Sequence, residues 1–530
     1  MISRTQIGSF RKTASATWAV ALALITLVSG GIITLCLAWD FAHQPGLDLS
    51  EIIFHRGALA AVADMPEVIA GVLGIAITVV AIIVELAANR YTPRVTDLFV
   101  KSPTNLIVLG FFVVSCLLCV WTSIVNDSDF FVPRMGRTVT VVAITLCLLL
   151  LLPYFVYVFS FLNPHNVIKH MGRSAFRAVE SAQYANDAKI RKAKRHAVTG
   201  VEQLTDVALN AIEHKDKGIC MYAVDTLGRL ALDYKSIKDK LPAAWFLMDT
   251  EMAENPDFVS MQPHVLDTIE ERRYWFEMKV LRQYQMLYGE TLNRMRDINY
   301  LIAINTRKLA EVSFHCGAER TWELSQKFMN TYLRATVNGR DVRTAYNVLN
   351  QLRLLGEFAL KNGAFDAAVE VAERFKYYGQ LGFASDLPFV LETCAYDLCT
   401  INELAFDLDA PCRDELLAIF LDVDKEGEED HAMEASLRGV RKAQIKLATY
   451  YLTHNDEPSA RAIFADMQNE LAPRLLSIHK ELLNIESPDF WEVSDRGINF
   501  DYLEPERKSA LQIFFNWFEE RQSMLPSLRS

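Results

Sequence analysis

Hydrophobic and polar positions divide the chain into two regimes. In the first third, four stretches carry no Asp, Glu, Lys or Arg: residues 13–39, 68–84, 102–126 and 138–168. A hydrocarbon core about 30 Å thick takes roughly 20 apolar residues at ~1.5 Å rise, because every backbone N–H and C=O must be paired within the helix. The pattern therefore predicts four spans, at about 14–39, 67–88, 104–125 and 138–162, the second recruiting its flanks. Beyond residue 197 the apolar positions recur at i, i+3, i+4 and i+7, as in Val201, Leu204, Val207, Ala208 and Ile212, or Leu352, Leu355, Phe358 and Ala359. Alternating strand-like runs are missing. The expected fold class is all-α: a four-helix transmembrane domain (1–168), a juxtamembrane stem (169–196) and a soluble α-helical domain (197–530).

Within that last region, stops such as Lys361-Asn362-Gly363 and Thr453-His454-Asn455-Asp456 separate paired helices. Two pairs resemble tetratricopeptide units: Leu355, Phe358 and Ala368 are spaced as Leu447, Tyr450 and Ala460 are. Their separation of 92 residues is not a multiple of the ~34-residue tetratricopeptide period, so an irregular, partly tetratricopeptide-like solenoid is expected.

Charge changes the picture by giving it an orientation. The chain has 54 Lys+Arg and 65 Asp+Glu, net −11, at a mean hydropathy of +0.11. Residues 1–168 hold nine of each sign, so the imbalance lies downstream. Arg4, Arg11 and Lys12 precede the first span, Arg90, Arg94 and Lys101 separate the second from the third, and eight Lys or Arg follow the fourth within 169–195. The other side holds Arg56, Arg134 and Arg137 among six acids. Cytoplasmic loops retain Lys and Arg, which predicts a multi-pass membrane protein with both termini cytoplasmic. The apolar run of the first span exceeds a signal-peptide core, so an uncleaved span is expected. Residues 196–530 carry 37 basic and 54 acidic side chains, a surface that repels phosphate and excludes a nucleic-acid partner.

Candidate chemistry is sparse. Glu85 ends the second span, and a carboxylate at that depth calls for a partner; Arg90 or Arg94 can supply an ion pair, and the alternative is a carboxylate lining a path. Lys189, Arg191, Lys192, Lys194 and Arg195 of the stem are candidates for anionic lipid headgroups, at ~1 kcal/mol per charge, against simple enforcement of topology. Trp18, Trp39, Trp121, Tyr154 and Tyr157 suit interfacial belts, and Pro153 should kink the fourth span. Cys116 and Cys119 spell CxxC without a second pair or a nearby His, and Cys220, Cys316, Cys394, Cys399 and Cys412 read as reduced, packed thiols. The acidic run 422–430 before His431 lacks calcium-loop spacing and reads as a connector. No cofactor, metal or catalytic signature is present, and an enzymatic role has no support.

The run ELAANRYTPRVTDLFVKSPTNLIVLGFFVVSCLLCVWTSIV, residues 85–125, resembles the characteristic segment of a bacterial family of predicted membrane proteins with a domain of unknown function. Pro93-Arg94, Phe99, and Asn105 with Val108-Leu109-Gly110 carry the resemblance, joined by Val132-Pro133-Arg134 and by residues 207–234. The turn Glu-His-Lys-Asp-Lys-Gly (213–218) and Glu85 depart from the family pattern. The resemblance spans about residues 65–310; it implies topology and no activity. Two functions fit: an oligomeric ion or small-solute channel or sensor gated by its cytoplasmic domain, or a membrane-anchored scaffold recruiting a cytosolic protein.

Overall fold

The computed structural model describes residues 65–90, 99–100, 102–126, 134–424, 434–490, 496–497 and 499–524, with scattered positions between 31 and 42. All regular structure among them is helical. The chain divides into two compact units, 1–170 and 171–530.

In the first unit, α1 (Met65–Arg90), α2 (Pro103–Asn126) and α3 (Arg134–Phe161) pack against one another. Pro103–Val125 and Thr138–Phe161 are long and apolar enough to cross a membrane, whereas the apolar stretch of α1 is shorter, Ile77–Leu86. The first predicted span lies largely outside the described residues. Only 28% of each long window is buried within the chain, so the remaining apolar surface calls for an apolar solvent. α3 continues unbroken through Pro153.

α4 (Pro164–Ser181) carries the chain into the second unit, followed by α5 (Asp187–Glu213) and α6 (Lys217–Ile237). After three short helices come α7 (Trp275–Thr291), α8 (Arg296–His315), α9 (Glu319–Asn338), α10 (Val342–Lys361), α11 (Phe365–Ala384), α12 (Pro388–Asp407), α13 (Arg413–Leu421), α14 (Glu434–Thr453), α15 (Glu457–Asp466), α16 (Ala472–Asn484) and α17 (Pro505–Met524). Successive helices form hairpins, and alternate helices pack side by side in two layers. α6, α8, α10, α12 and α14 make one layer; α5, α7, α9, α11 and α13 make the other.

The array has a step that departs from the expected irregularity. α8, α10, α12 and α14 are each 20 residues long and begin at Arg296, Val342, Pro388 and Glu434, 46 residues apart. The 92-residue separation of the two tetratricopeptide-like pairs is thus two such steps. Each of these helices ends on a left-handed residue at the same offset: Gly317 (φ 65°), Gly363 (73°), Asp409 (46°) and Asn455 (62°). The next N–H, of Ala318, Ala364, Ala410 or Asp456, donates to the carbonyl five residues back, the bond that closes a Schellman cap. Packing repeats in register: Ile302, Val348, Cys394 and Val440 form one buried column, and Leu309, Leu355, Ile401 and Leu447 another. Cys394 sits there as a small hydrophobe. Cys316 departs from the expectation of packed thiols: it lies at a helix end, exposed.

Candidate functional site

Two of the residues that carry the family resemblance, Phe99 and Asn105, meet inside the first unit. Asn105, 1% exposed, accepts a 2.6 Å hydrogen bond from the Tyr154 hydroxyl and donates to the Phe99 carbonyl at 3.4 Å. Phe112 meets the Tyr154 ring edge-on, Phe99 meets Phe161, and Ser102 bonds Tyr157 at 2.5 Å. Thr122 and Thr140 join α2 to α3 at 2.7 Å. An amide in an apolar unit is costly without a partner, and Tyr154 supplies it. Tyr154 is therefore an interhelical strut, a correction to its expected place in an interfacial belt: the hydroxyl is satisfied inside. Trp39 and Trp121 are exposed, as belt residues would be.

Glu85 is exposed at the end of the apolar stretch of α1. Arg90 ends that helix, but its side chain, and all of Arg94, lie outside the described residues, as does His431 with most of the acidic connector.

The stem separates into two kinds of cation. Lys189, Arg191 and Lys192 are exposed at the start of α5. Lys194 is buried, its Nζ donating to the Leu247 carbonyl at 2.5 Å, 3.7 Å from Asp249 and over the Trp275 ring. Burial lowers its pKa, opposed by Asp249. Arg195 grips Glu251 bidentately at 2.6 and 2.7 Å. Lys194 is thus a correction to the set of lipid contacts, because the Leu247 carbonyl and Asp249 hold it inside, whereas Arg195 stays exposed in its pair with Glu251.

The layer formed by α8, α10, α12 and α14 presents a polar ladder in the 46-residue register. Arg307 pairs with Glu311, and one step on Arg353 pairs with Glu357. At the third step Cys399 stands where an arginine is expected, and Arg507 of α17 supplies the guanidinium, 2.6 Å from Glu403. Gln351 bridges neighbouring steps, accepting from Arg307 at 2.8 Å and donating to Tyr300 at 3.2 Å.

A C-terminal segment is seated across α10, α12 and α14. Arg496 inserts between Asp397 and Tyr346: its guanidinium reaches both carboxylate oxygens (2.5 and 3.1 Å), donates to the Tyr346 carbonyl at 2.7 Å and stacks 4.2 Å from that ring. Phe500 stacks on Tyr396 at 4.6 Å and 8°, and its carbonyl accepts from Lys446 at 3.0 Å. Asp501 takes Tyr396 and Lys442, the latter at 2.7 Å. Burial and the nearby Asp501 push the Glu392 carboxyl up, opposed by Lys442. Lys442 itself is held above its ordinary value, because Asp501 and Glu481 outweigh burial. These groups bind and orient a turn-forming segment through an arginine, an aromatic ring and a carboxylate.

At the fourth step two buried positions beside these columns turn polar. Arg441 and Gln444 replace Ala395 and Leu398, and Arg441 gathers Asp424 (2.9 Å), Asp466 (3.2 Å) and Glu470 (2.6 Å). Burial raises Asp424 to about 6; Arg441 opposes this and Asp466 adds to it.

Sequence reasoning missed Arg496, Asp397, Phe500 and the carboxylates gathered by Arg441, because each contact joins segments from different helices or loops. The 46-residue register was the one signal that could have marked Arg353 and Asp397 as neighbours on adjacent steps.

No curated protein and no solved structure is significantly similar to the chain. Residues 10–226, which include the Asn105–Tyr154 cluster and reach into α6, match the family model described as Predicted membrane protein (DUF2254), a family of unknown function.

Proposed function

We propose that the protein is a membrane-anchored scaffold. Four spans hold the second unit at the cytoplasmic face of a bacterial inner membrane, and its two-layer array is a helical solenoid whose polar ladder recruits a cytosolic protein. The 46-residue step falls in the ~40–47-residue range of helix-pair solenoids, which present long surfaces suited to extended partners. The seating of Arg496, Phe500 and Asp501 carries the reading, since it is an instance of an arginine and an aromatic ring held on this layer. The part of the ladder on α8 and α10, around half-buried Tyr300 and Asn350, would take the partner. A photo-crosslinking residue at Tyr300 in the full chain in its membrane should yield a defined protein adduct, absent when the crosslinker replaces exposed Glu373 on the other layer. No adduct, or the same adducts at both positions, would sink the reading.

A second reading is an oligomeric channel, favoured by exposed Glu85 and by the uncovered surface of α2 and α3, which further copies of the chain would cover. Reconstituted protein would then pass ions, and Glu85→Gln would change the flux. Silent liposomes across pH and tension would remove this alternative.

A further inference from the structure

We infer that the outward face of α4 is an electrostatic docking surface for anionic lipid headgroups; this rests on reading Thr138–Phe161 as a membrane span. α4 begins three residues after α3 ends. Lys169, Arg173 and Arg177 follow at steps of four, so they form one stripe about 12 Å long on a single helix face, with His170 beside it. All are exposed, and Lys169, Arg173 and Arg177 have no hydrogen-bond or ion-pair partner among the described residues. The first acid on the helix is Glu180, at the end remote from α3. Some exposed cations further along, Arg195, Lys217, Arg229 and Arg296, each hold a carboxylate, whereas others, such as Lys308 and Lys327, do not, so what sets α4 apart is the alignment of three cations on one face.

Packing fixes which side of α4 faces out. Met171, Ala175 and Val179 are buried, and two close approaches lock the helix's rotation: a Cβ on Gly200 would lie 2.5 Å from the Ala175 Cβ, and one on Gly172 would lie 2.6 Å from Thr226 Cγ2. The apolar face is therefore used within the protein and is not free to insert into lipid. What remains is charge alone, which predicts headgroup binding that weakens with salt rather than the insertion of an amphipathic helix. The acidic excess of residues 196–530 does not cancel it, since fields from charges more than about 8 Å away are largely screened at physiological ionic strength. Lys189, Arg191 and Lys192 are exposed as well, but the chain reaches them only beyond the far end of α4, so their share should be smaller.

The test uses the full chain in neutral detergent, titrated with short-chain phosphatidylglycerol or phosphatidylcholine and read by native mass spectrometry. Each cation removed should weaken phosphatidylglycerol binding about fivefold, so Lys169→Gln/Arg173→Gln/Arg177→Gln should lose about a hundredfold, with phosphatidylcholine unaffected. Single Arg177→Gln gives the fivefold step should the triple variant misfold, and Arg173→Lys/Arg177→Lys should keep wild-type binding. Unchanged phosphatidylglycerol affinity in the triple variant would overturn the assignment. So would a larger loss in Lys189→Gln/Arg191→Gln/Lys192→Gln, or equal displacement of the lipid by inorganic phosphate. Alkaline carbonate extraction separates the two layers of inference: release of the chain from membranes refutes the span, whereas retention with unaltered lipid preference refutes the docking surface alone.

Discussion

Arg496 and Asp397 stand 99 residues apart in sequence and meet through two hydrogen bonds of 2.5 and 3.1 Å, their side chains 3% and 2% exposed. Removing one member leaves the other charge buried, at a cost of about 3–5 kcal/mol. Arg353, 3.4 Å from Asp397, softens that loss on one side. Arg496→Ala and Asp397→Ala should each destabilise the second unit by about 3 kcal/mol, and the double variant by much less than the sum. Denaturant unfolding of the full chain in detergent measures this; strictly additive effects would mean the pair is not coupled.

Asp424 should impose a pH dependence. Its folded pKa of about 6 lies above its unfolded value near ~3.9, so the folded state binds the extra proton between them. Stability from this group is therefore present below about pH 4 and lost as pH rises through about 6. Asp424→Asn should flatten the profile across that window and leave stability near neutral pH no lower than wild type, because Arg441 keeps Asp466 and Glu470. Thermal midpoints measured from about pH 4 to about pH 8 decide it, and a variant as pH-sensitive as wild type would contradict the assignment.

Two glycines should respond in opposite directions to the same substitution. Helix propensity favours alanine over glycine by about 1 kcal/mol. At Gly289, where an added Cβ meets nothing within 4 Å, that gain should appear. At Gly200 the Cβ would overlap Ala175 Cβ at 2.5 Å and its Cα at 3.2 Å, and overpacking of about 1–3 kcal/mol should prevail. Ala175→Gly should rescue Gly200→Ala. Thermal midpoints of the three variants provide the comparison.

The caps of the array make a further prediction. Asp409 adopts φ 46°, where a Cβ is penalised, and its pair with Arg413 is exposed. Asp409→Gly should stabilise by up to about 1 kcal/mol, whereas Gly363→Ala, at φ 73°, should destabilise by about as much. Equal responses at the two sites would argue against a shared cap.

Much of the fold was legible in the chain because periodicity reports which face of an element avoids water. The apolar runs at 102–126 and 138–168 mark α2 and α3, and the 3.6-residue rhythm marks the helices of the second unit. The stops at Gly363 and Asn455 were visible as well, since turn chemistry is local. The 46-residue step was present too, in the 92-residue offset between Leu355 and Leu447, but only the intervening α12 and α13 reveal that offset as two steps.

Periodicity is silent about which element covers a buried face, and that is what the tertiary structure decided. Tyr154 looks like an interfacial residue until Asn105, 49 positions away, accepts the hydrogen bond of its hydroxyl. Lys194 and Lys192 are alike as letters, yet one turns toward Leu247 and Asp249 and the other toward solvent. The chain by itself determined an all-helical protein with apolar helices ahead of an acidic helical region. Which charges are spent inside it, as at Arg496 and Lys194, and which remain outward, as at Lys169, Arg173 and Arg177, followed only from packing, because a charge's partner is set by distance in space and not by position along the chain.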